Sequence, residues 1–555
     1  MSPAARVLLL SGYVAVTFLA FPHPIGDRVL DLGVPLAWLS PALLLLALHD
    51  LTPARAGRWG FAAALVAHSL ILHWIYIVTV RYGHAPVIAG VLAPMALGAY
   101  AAAFTGALAA GWAWLGRRGL ASPFAAAGLW TALDHLRSFA LSGFPWATLG
   151  YAQHANPGLL ALAPYTGVYG LSFVTALGGA ALCRAVLDAR GRRRPGVGVW
   201  AALAVVVAAH VGGFRGGASA DADAGLETLR VAVLQGNIDQ GVKWNPTRSE
   251  EILRVYEDLT RRAAAAGAQV VVWPETSVPG GIEADALPAR RLAKLGRETG
   301  AVLVLGAVGL EYDGGARPVR FYDSAFVLEP GAGTFAGRYD KAHLVPFGEF
   351  VPLADRLGRV FVAIARGMST TGVTSGSGPR ALDFDVPGSP ERQVRAGIPI
   401  CYELLFPDLV RRFVEDGAEV LLAITNDAWY GRTGAPFQFL AITALRSAEN
   451  RVWTARAANT GVSAIIDSRG RVRSQTPIFE RGWLVADVPL RPAPIGGSFY
   501  TRYGDVFAWA CWVGVAALGF HGFSRRSSAR RGPEPREEAP RTPARVGPDR
   551  EGGQA

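Results

Sequence analysis

Val270-Val271-Val272-Trp273-Pro274-Glu275 runs bulky apolar residues together, stops at a proline and ends on a carboxylate. A run so short and unbroken reads as a strand buried on both faces, because a half-exposed strand would alternate apolar with polar. The same signature recurs around it. Arg230-Val231-Ala232-Val233-Leu234-Gln235, Val302-Leu303-Val304-Leu305, Ile398-Pro399-Ile400-Cys401 and Val420-Leu421-Leu422-Ala423-Ile424 are strand-like, while residues 247–266, 286–299 and 407–416 have helical composition. Thr247 reads as the N-cap of the first helix and Gly267 as its stop. Apolar strands alternating with helices make residues 226–490 an α/β domain whose sheet is covered by helices.

Outside that domain the composition changes. The chain has 555 residues, 51% hydrophobic and 17% charged, with a mean hydropathy of +0.26. A soluble domain carries roughly 25% charged residues. The apolar excess is concentrated in runs at 6–21, 33–49, 59–80, 86–115, 122–140, 157–187, 197–213 and 504–523. Each approaches the ~20 residues a helix needs to cross a bilayer. Residues 1–213 therefore read as a helical membrane domain of about seven spans, with one more span at 504–523. No small-residue cleavage site follows the first run, so it reads as a span and not a removed signal. Residues 524–555, rich in Arg, Pro, Glu and Gly, read as a disordered tail.

The formal charge of +11 and a pI near 9.8 come largely from short loops and the tail. Arg6, Arg55, Arg58, Arg117, Arg118, Arg184, Arg190, Arg192, Arg193, Arg194, Arg525 and Arg526 fall on one side of the alternating spans. Only Arg28, Arg81 and Arg137 fall on the other. That asymmetry places both termini in the cytoplasm and residues 214–503 outside, periplasmic in a bacterium. No zinc finger, basic helix or RNA-binding motif accompanies the charge, which argues against nucleic acid as a partner. Asp134, His135 and Arg137 interrupt an apolar run just ahead of Ser142-Gly143-Phe144-Pro145-Trp146. They are expected to help seat the outer domain on the membrane.

Polar groups follow the strands directly, where open α/β sheets form their sites. Glu275 follows one strand. Lys341 follows Tyr339-Asp340 and runs into His343-Leu344-Val345-Pro346-Phe347-Gly348-Glu349. Cys401, in Ile400-Cys401-Tyr402-Glu403, follows another. The other cysteines, Cys183 and Cys511, lie in apolar runs, so neither a disulfide framework nor a thiolate metal site is expected. A thiol nucleophile needs a base for its proton and a cation or donor for the oxyanion. Taken singly, Glu275 reads as readily as a loop charge, Lys341 as a surface charge and Cys401 as a core residue. Their order and their shared position at strand ends are what carry the reading.

The order Trp273-Pro274-Glu275, Lys341, Cys401-Tyr402-Glu403 resembles the Glu-Lys-Cys triad of the nitrilase superfamily, and the resemblance implies a four-layer αββα sandwich. More closely, the chain resembles the apolipoprotein N-acyltransferase family. The matching stretches are Ser142 to Trp146, Leu149-Gly150-Tyr151, Gln235-Gly236-Asn237-Ile238, Lys243-Trp244, Lys341 to Glu349, Asn426-Asp427-Ala428-Trp429-Tyr430-Gly431 and Arg456-Ala457-Ala458-Asn459-Thr460-Gly461. Asp134 departs from the glutamate that the resemblance leads one to expect in the fifth span.

The resemblance implies transfer of a fatty acyl chain from a membrane phospholipid to the α-amino group of an apolipoprotein's N-terminal S-diacylglyceryl cysteine, through a thioester. It implies Glu275 as general base, Cys401 as nucleophile and Lys341 as oxyanion stabiliser, with Glu349 orienting the lysine or assisting proton transfer and Tyr402 and Glu403 in support. Trp244, Trp429 and Tyr430 are expected near the acyl chain, although ordinary core packing would equally suit such aromatics. Residues 360–368 are apolar enough for a lid or for a buried helix. No metal or organic cofactor is expected, nor any partner beyond the two lipid substrates, with the chain acting as a monomer. A membrane-anchored amidase on a small amide shares the triad but needs only one span. A transporter would need paired intramembrane charges and broken helices that the spans lack.

Overall fold

The computed structural model describes residues 1–218, 223–283, 286–315, 317–331, 335–350, 372–492 and 497–530. Helices occupy every apolar run. α1 (Pro3–Leu19), α2 (Gly33–Leu36), α3 (Leu39–Leu48), α4 (Pro53–Ile71), α5 (Val87–Gly116), α6 (Pro123–Leu136), α7 (Pro157–Leu160), α8 (Ala163–Arg190) and α9 (Val197–Ala218) precede the α/β domain. A hairpin of β1 (His23–Ile25) and β2 (Arg28–Leu30) joins α1 to α2. Proline in the first turn starts α1, α4, α6, α7 and α8, where a missing N–H costs nothing. Among the described residues, four helical stretches are long and apolar enough to cross a membrane: Val87–Gly116, Ala163–Arg190, Val197–Phe214 and Val506–Ser524. Pro3–Leu19 and Gly33–Leu48 are apolar but shorter.

Several runs are less continuous than their hydropathy suggests. The run at 59–80 begins earlier, at Pro53, and divides into α4 and a π-helical turn, Ile77–Tyr82. α8 is kinked at Gly167, whose φ of 61° lies in the left-handed region. There the Val168 N–H leaves the helix ladder and donates to Glu449 Oε1 at 2.9 Å. Asp134, His135 and Arg137 point into the helical part. Asp134 takes Arg137 Nη2 at 3.3 Å, Ser172 Oγ at 3.1 Å and the Leu149 N–H at 3.3 Å. They fix the loop that follows α6, and that loop touches the α/β domain: Tyr402 OH donates to Gly143 O at 3.1 Å.

The α/β domain contains α10 (Gln240–Lys243), α11 (Ser249–Ala265), α12 (Ala286–Thr299), α13 (Pro407–Glu415) and α14 (Ala435–Asn450). Its strands are β3 (Thr228–Gln235), β4 (Val270–Val272), β5 (Val302–Glu311), β6 (Arg320–Leu328), β7 (Phe335–Asp340), β8 (Leu382–Val386), β9 (Ser389–Gly397), β10 (Val420–Thr425), β11 (Thr454–Ala458), β12 (Ala464–Ile466), β13 (Val472–Gln475) and β14 (Gly482–Pro489). Among the described residues they form two six-stranded sheets, ordered β14-β3-β4-β5-β6-β7 and β13-β12-β11-β10-β9-β8. The two-residue period of a strand sorts the side chains. Val231, Val233, Val270, Val272, Val302 and Val304 share one core with Ala455, Ala457 and Ile465 of the second sheet. Ala232, Leu234, Val271 and Leu303 turn the other way, onto Leu253, Tyr256 and Leu259 of α11 and Leu292 and Leu295 of α12. α13 and α14 cover the second sheet. The expected αββα layering follows from this division of faces.

Two local expectations need correction. Thr247 does not cap α11; it lies in a 3-10 turn whose cap is Asn245, and α11 starts at Ser249. Ile398–Cys401 is not a regular strand, because β9 ends at Gly397 and only Ile400 makes a bridge, to Ile424. Beyond the domain, α15 (Phe499–Tyr503) leads into α16 (Val506–Arg530), which carries helix past the expected boundary at 524. His135 Nε2 meets Asp505 Oδ2 at 3.3 Å, tying α6 to the start of α16. Residues 360–368 lie outside the described residues.

Candidate active site

Three parallel strands, β3, β4 and β5, are in register through Val233, Val272 and Val304, so the chain leaving β4 turns at the carboxyl end of the sheet. Trp273 locks that exit. It is fully buried, stacked on Tyr256 at 4.9 Å, and its indole N–H donates to Thr260 Oγ1 at 3.0 Å. Glu275 comes two residues later. Its turn lies flat on β5, where a Cβ on Gly306 would stand 2.3 Å from Pro274 O and 2.7 Å from Glu275 Cα. A side chain at 306 would push the carboxylate out of place.

Lys341 follows β7 and is fully buried. Its Nζ donates to Glu275 Oε1 at 3.1 Å, Asp323 Oδ2 at 3.1 Å and Glu349 Oε1 at 2.6 Å. Glu349 is itself held by the Val345 N–H on Oε2 at 2.8 Å. The three carboxylates offer oxygens within 4.8 Å of one another, a spacing suited to a cation. The Lys341 ammonium takes that position, so the residues fit a buried ammonium and leave no separate metal seat between them. A second lysine approaches from α10: Lys243 Nζ donates to Glu275 O at 2.8 Å and Thr276 Oγ1 at 2.6 Å.

Cys401 opens a 3-10 turn, Cys401–Leu405, with φ of 48°. That left-handed backbone is strained for a residue with a Cβ and turns the thiol out of the strand direction. The Asn426 backbone N–H hydrogen-bonds the thiol. Glu403 holds the turn in place. Its carboxylate accepts from Tyr339 OH at 2.6 Å, Ala342 N–H at 2.7 Å, His343 N–H at 3.3 Å and Ile400 N–H at 2.8 Å. One buried side chain thus joins the segment carrying Lys341 to the segment carrying Cys401.

The charges act on one another. Burial pushes the Cys401 thiol well above its ordinary range and Glu275 adds to this, against a downward pull from Lys341. Burial would raise Glu275 as well, but Lys341 overrides it and leaves the carboxyl at about 2. Burial works to lower Lys341, and the carboxylates Glu275, Glu349 and Asp323 raise it well above the usual lysine range. Burial brings Lys243 down to about 8.

Behind the thiol, three of the quoted stretches interlock. Asn426 Nδ2 donates to Gln240 Oε1 at 2.6 Å, and Asn459 Nδ2 donates to Asn426 Oδ1 at 3.1 Å and Ile238 O at 2.7 Å. The buried pair Asp427–Arg456 closes at 2.8 Å, beside Gly461, where a Cβ would stand 1.9 Å from Asp427 Oδ2.

Glu275, Lys341, Glu349 and Cys401 are therefore brought together, with Glu403 immediately behind. The aromatics lie around this cluster, with Tyr430 close enough to Cys401 and Glu275 for their charges to act on its hydroxyl. Tyr402 reaches Gly143 of the helical part. Tyr430 packs edge-on to Trp74 at 4.7 Å and Trp146 at 6.0 Å, and Trp429 to Tyr82 at 5.5 Å, so both sit at the seam between domain and helices. Trp244 is 54% exposed, facing away from the buried Lys243 next to it. Asp323 and Lys243 were given no role by the sequence.

A double sheet flanked by helices, with these groups at its strand ends, defines the domain as one of the carbon-nitrogen hydrolase class. Residues 230–492 match the carbon-nitrogen hydrolase family model, and residues 13–181 match that of the apolipoprotein N-acyltransferase N-terminal domain. An apolipoprotein N-acyltransferase of Geobacter metallireducens is 39% identical over 529 residues, covering 94% of this chain and 95% of the relative. One of Azotobacter vinelandii is 35% identical, covering 93% of this chain and 96% of the relative. The chain belongs to the apolipoprotein N-acyltransferase family, and its apolar helices make it a membrane protein. Among solved structures, an amidase of the nitrilase superfamily from Nesterenkonia is 19% identical with a TM-score of 0.34, over 47% of this chain and 90% of the amidase.

Proposed function

We propose that this protein transfers an acyl chain from a membrane phospholipid to the α-amino group of the N-terminal diacylglyceryl-cysteine of apolipoproteins, through a thioester on Cys401. The observation that carries this reading is the Lys341 ammonium, bonded to Glu275 and acting electrostatically on Cys401. With the thiol pushed up and Glu275 near 2, the resting site holds a thiol and a carboxylate. The proton therefore moves as the carbon–sulfur bond forms. Sγ attacks the ester carbonyl, Glu275 takes the thiol proton, and the oxyanion develops against Lys341. Collapse breaks the ester C–O bond, and Glu275 returns the proton to the leaving lysophospholipid alkoxide. The acceptor amine then attacks the thioester, loses a proton to Glu275 and releases the Cys401 thiolate, which recovers that proton. Glu349 orients Lys341, and Tyr402 and Glu403 support the nucleophile's turn. Trp244, Trp429 and Tyr430 bound the acyl path.

The eight helical segments span the bacterial inner membrane, with both termini cytoplasmic, the catalytic domain periplasmic and the chain a monomer. Two contacts support this orientation. Arg81, assigned outside by its loop, meets Asp239 of the catalytic domain at 3.4 Å, and Arg118, assigned inside, donates to Gly522 O at 3.1 Å.

The test uses the full-length protein with a phospholipid labelled in one acyl chain and no acceptor. Label should attach covalently, leave with neutral hydroxylamine and be absent from Cys401→Ala. A folded wild type that takes up no label, or that releases ammonia from a small amide instead, overturns the reading.

A further inference from the structure

The three carboxylates around Lys341 are not equivalently satisfied. Both Glu349 oxygens accept, one from Lys341 and one from the Val345 N–H. Glu275 accepts from Lys341, and Lys243 stands on its side of the cluster, bonded to its own carbonyl. Asp323 accepts from Lys341 through Oδ2 alone, and Oδ1 is buried with no donor. Its backbone is held as well, since Asp323 O accepts the Lys341 N–H at 2.9 Å. A buried acceptor stranded in this way bears the full desolvation cost of the group, which is greater if it is charged. Carboxylates sharing a buried site disfavour one another's ionisation, most of all for the one with the fewest donors. Here Asp323 and Glu275 lie side by side, close enough to share a hydrogen bond.

We propose that Asp323 is a positioning residue that stays protonated, donating its proton to the Glu275 carboxylate, so that the site holds one base and not two. The proton turns the stranded oxygen into a hydrogen-bond donor and holds the Glu275 carboxylate in a fixed orientation beside Lys341. It also balances the charge: Glu275 and Glu349, ionised, face the ammoniums of Lys341 and Lys243. Burial and the neighbouring Glu275 charge both push the Asp323 carboxyl well above its ordinary range, in the same direction as the geometry. The functional part of this inference rests on the acyl-transfer reading, whereas the protonation does not.

An asparagine is the near-isostere of a neutral aspartic acid, accepting from Lys341 and donating to Glu275. In full-length protein, Asp323→Asn should form the Cys401 thioester within about threefold of wild type, and Asp323→Leu should form it more than a hundredfold slower. An Asn variant as slow as the Leu variant overturns the proposal. Infrared spectra at pH 7.5 of protein carrying carboxyl-labelled aspartate give a second measurement. A protonated-carboxyl band that shifts with the label and vanishes in Asp323→Asn supports it, and a wild type without that band overturns it. If no thioester forms in any variant, the acyl-transfer reading fails while the infrared result still decides the protonation.

Discussion

Replacing Glu403 by glutamine keeps size and shape and removes one acceptor. In the wild type Oε1 accepts from Tyr339 OH, Ala342 N–H and His343 N–H, and Oε2 accepts from the Ile400 N–H. An amide oriented to keep the first three points its NH₂ at the Ile400 N–H, donor against donor; turned round, it abandons three donors for one. The milder choice loses a hydrogen bond to a charged group and strands a buried N–H, together about 3 kcal/mol. Ile400 precedes Cys401, whose strained φ of 48° depends on this anchor. At pH 8, hydrogen exchange at the Ile400 amide should be roughly hundredfold faster in Glu403→Gln, since each 1.4 kcal/mol of local opening is tenfold. Thioester formation on Cys401 should fall with it. The pH matters because burial pushes the Glu403 carboxyl up to about 7 despite its donors. Below that value the wild type protonates and loses the same bond, so the difference in protection between the two proteins should narrow as pH falls towards 5. Unchanged exchange at Ile400 with acylation within twofold of wild type would refute the view that Glu403 holds the nucleophile's turn.

Glu275→Gln should abolish acyl transfer yet speed alkylation of Cys401 by iodoacetamide at pH 7.5, because losing the carboxylate's charge lets the raised thiol pKa fall; slower alkylation would contradict the electrostatics. Lys341→Met leaves Glu275, Asp323 and Glu349 buried without their cation, at a cost of about 3–5 kcal/mol. Millimolar Ca²⁺ or Mn²⁺ should raise the Tm of that variant and leave wild type unmoved. A third expectation concerns Lys243, which burial lowers to about 8 from an ordinary 10.5. Between those values the unfolded chain binds more protons than the folded one, so stability rises with pH through that window by at most about 3 kcal/mol. Lys243→Met should flatten the rise, and wild-type and variant Tm values that change in parallel from pH 7.5 to 9.5 would contradict it.

Glu275 and Cys401 stand out in the sequence because each closes an apolar run, whereas Lys341 follows the mixed stretch Phe335-Ala336-Gly337-Arg338-Tyr339-Asp340 and stands out only through the motif that runs on to Glu349. Asp323 carries no such mark. It enters the site through the pairing of β6 with β7, which sets Ser324 against Asp340 and so brings its neighbour beside Lys341. Lys243 carries no such mark either, since nothing local says that the lysine of a short helix turns inward while Trp244 turns out. Ile398–Cys401 has a strand's composition without its ladder, because a segment buried on all sides is apolar whether or not its backbone pairs. The seam aromatics Trp429 and Tyr430 were placed only by packing against Trp74, Trp146 and Tyr82, contacts across hundreds of residues that local patterning does not encode. Helix beyond Ser524 was hidden by a polar composition that α16 tolerates.

The meeting of α6 with α16 has a consequence for how the molecule is built. Arg118 Nε reaches Gly522 O across 404 positions of sequence, and His135 closes on Asp505 at the other end of the same seam. The chain enters the catalytic domain at Thr228 and leaves it at Pro489, which face each other as register partners on β3 and β14. A ribosome must therefore deliver the whole domain before α16 exists to pack against α6. Until then α6 carries His135 without its carboxylate. The contact between α6 and α16 therefore forms only after the domain has been made, and a chain truncated inside the domain lacks it.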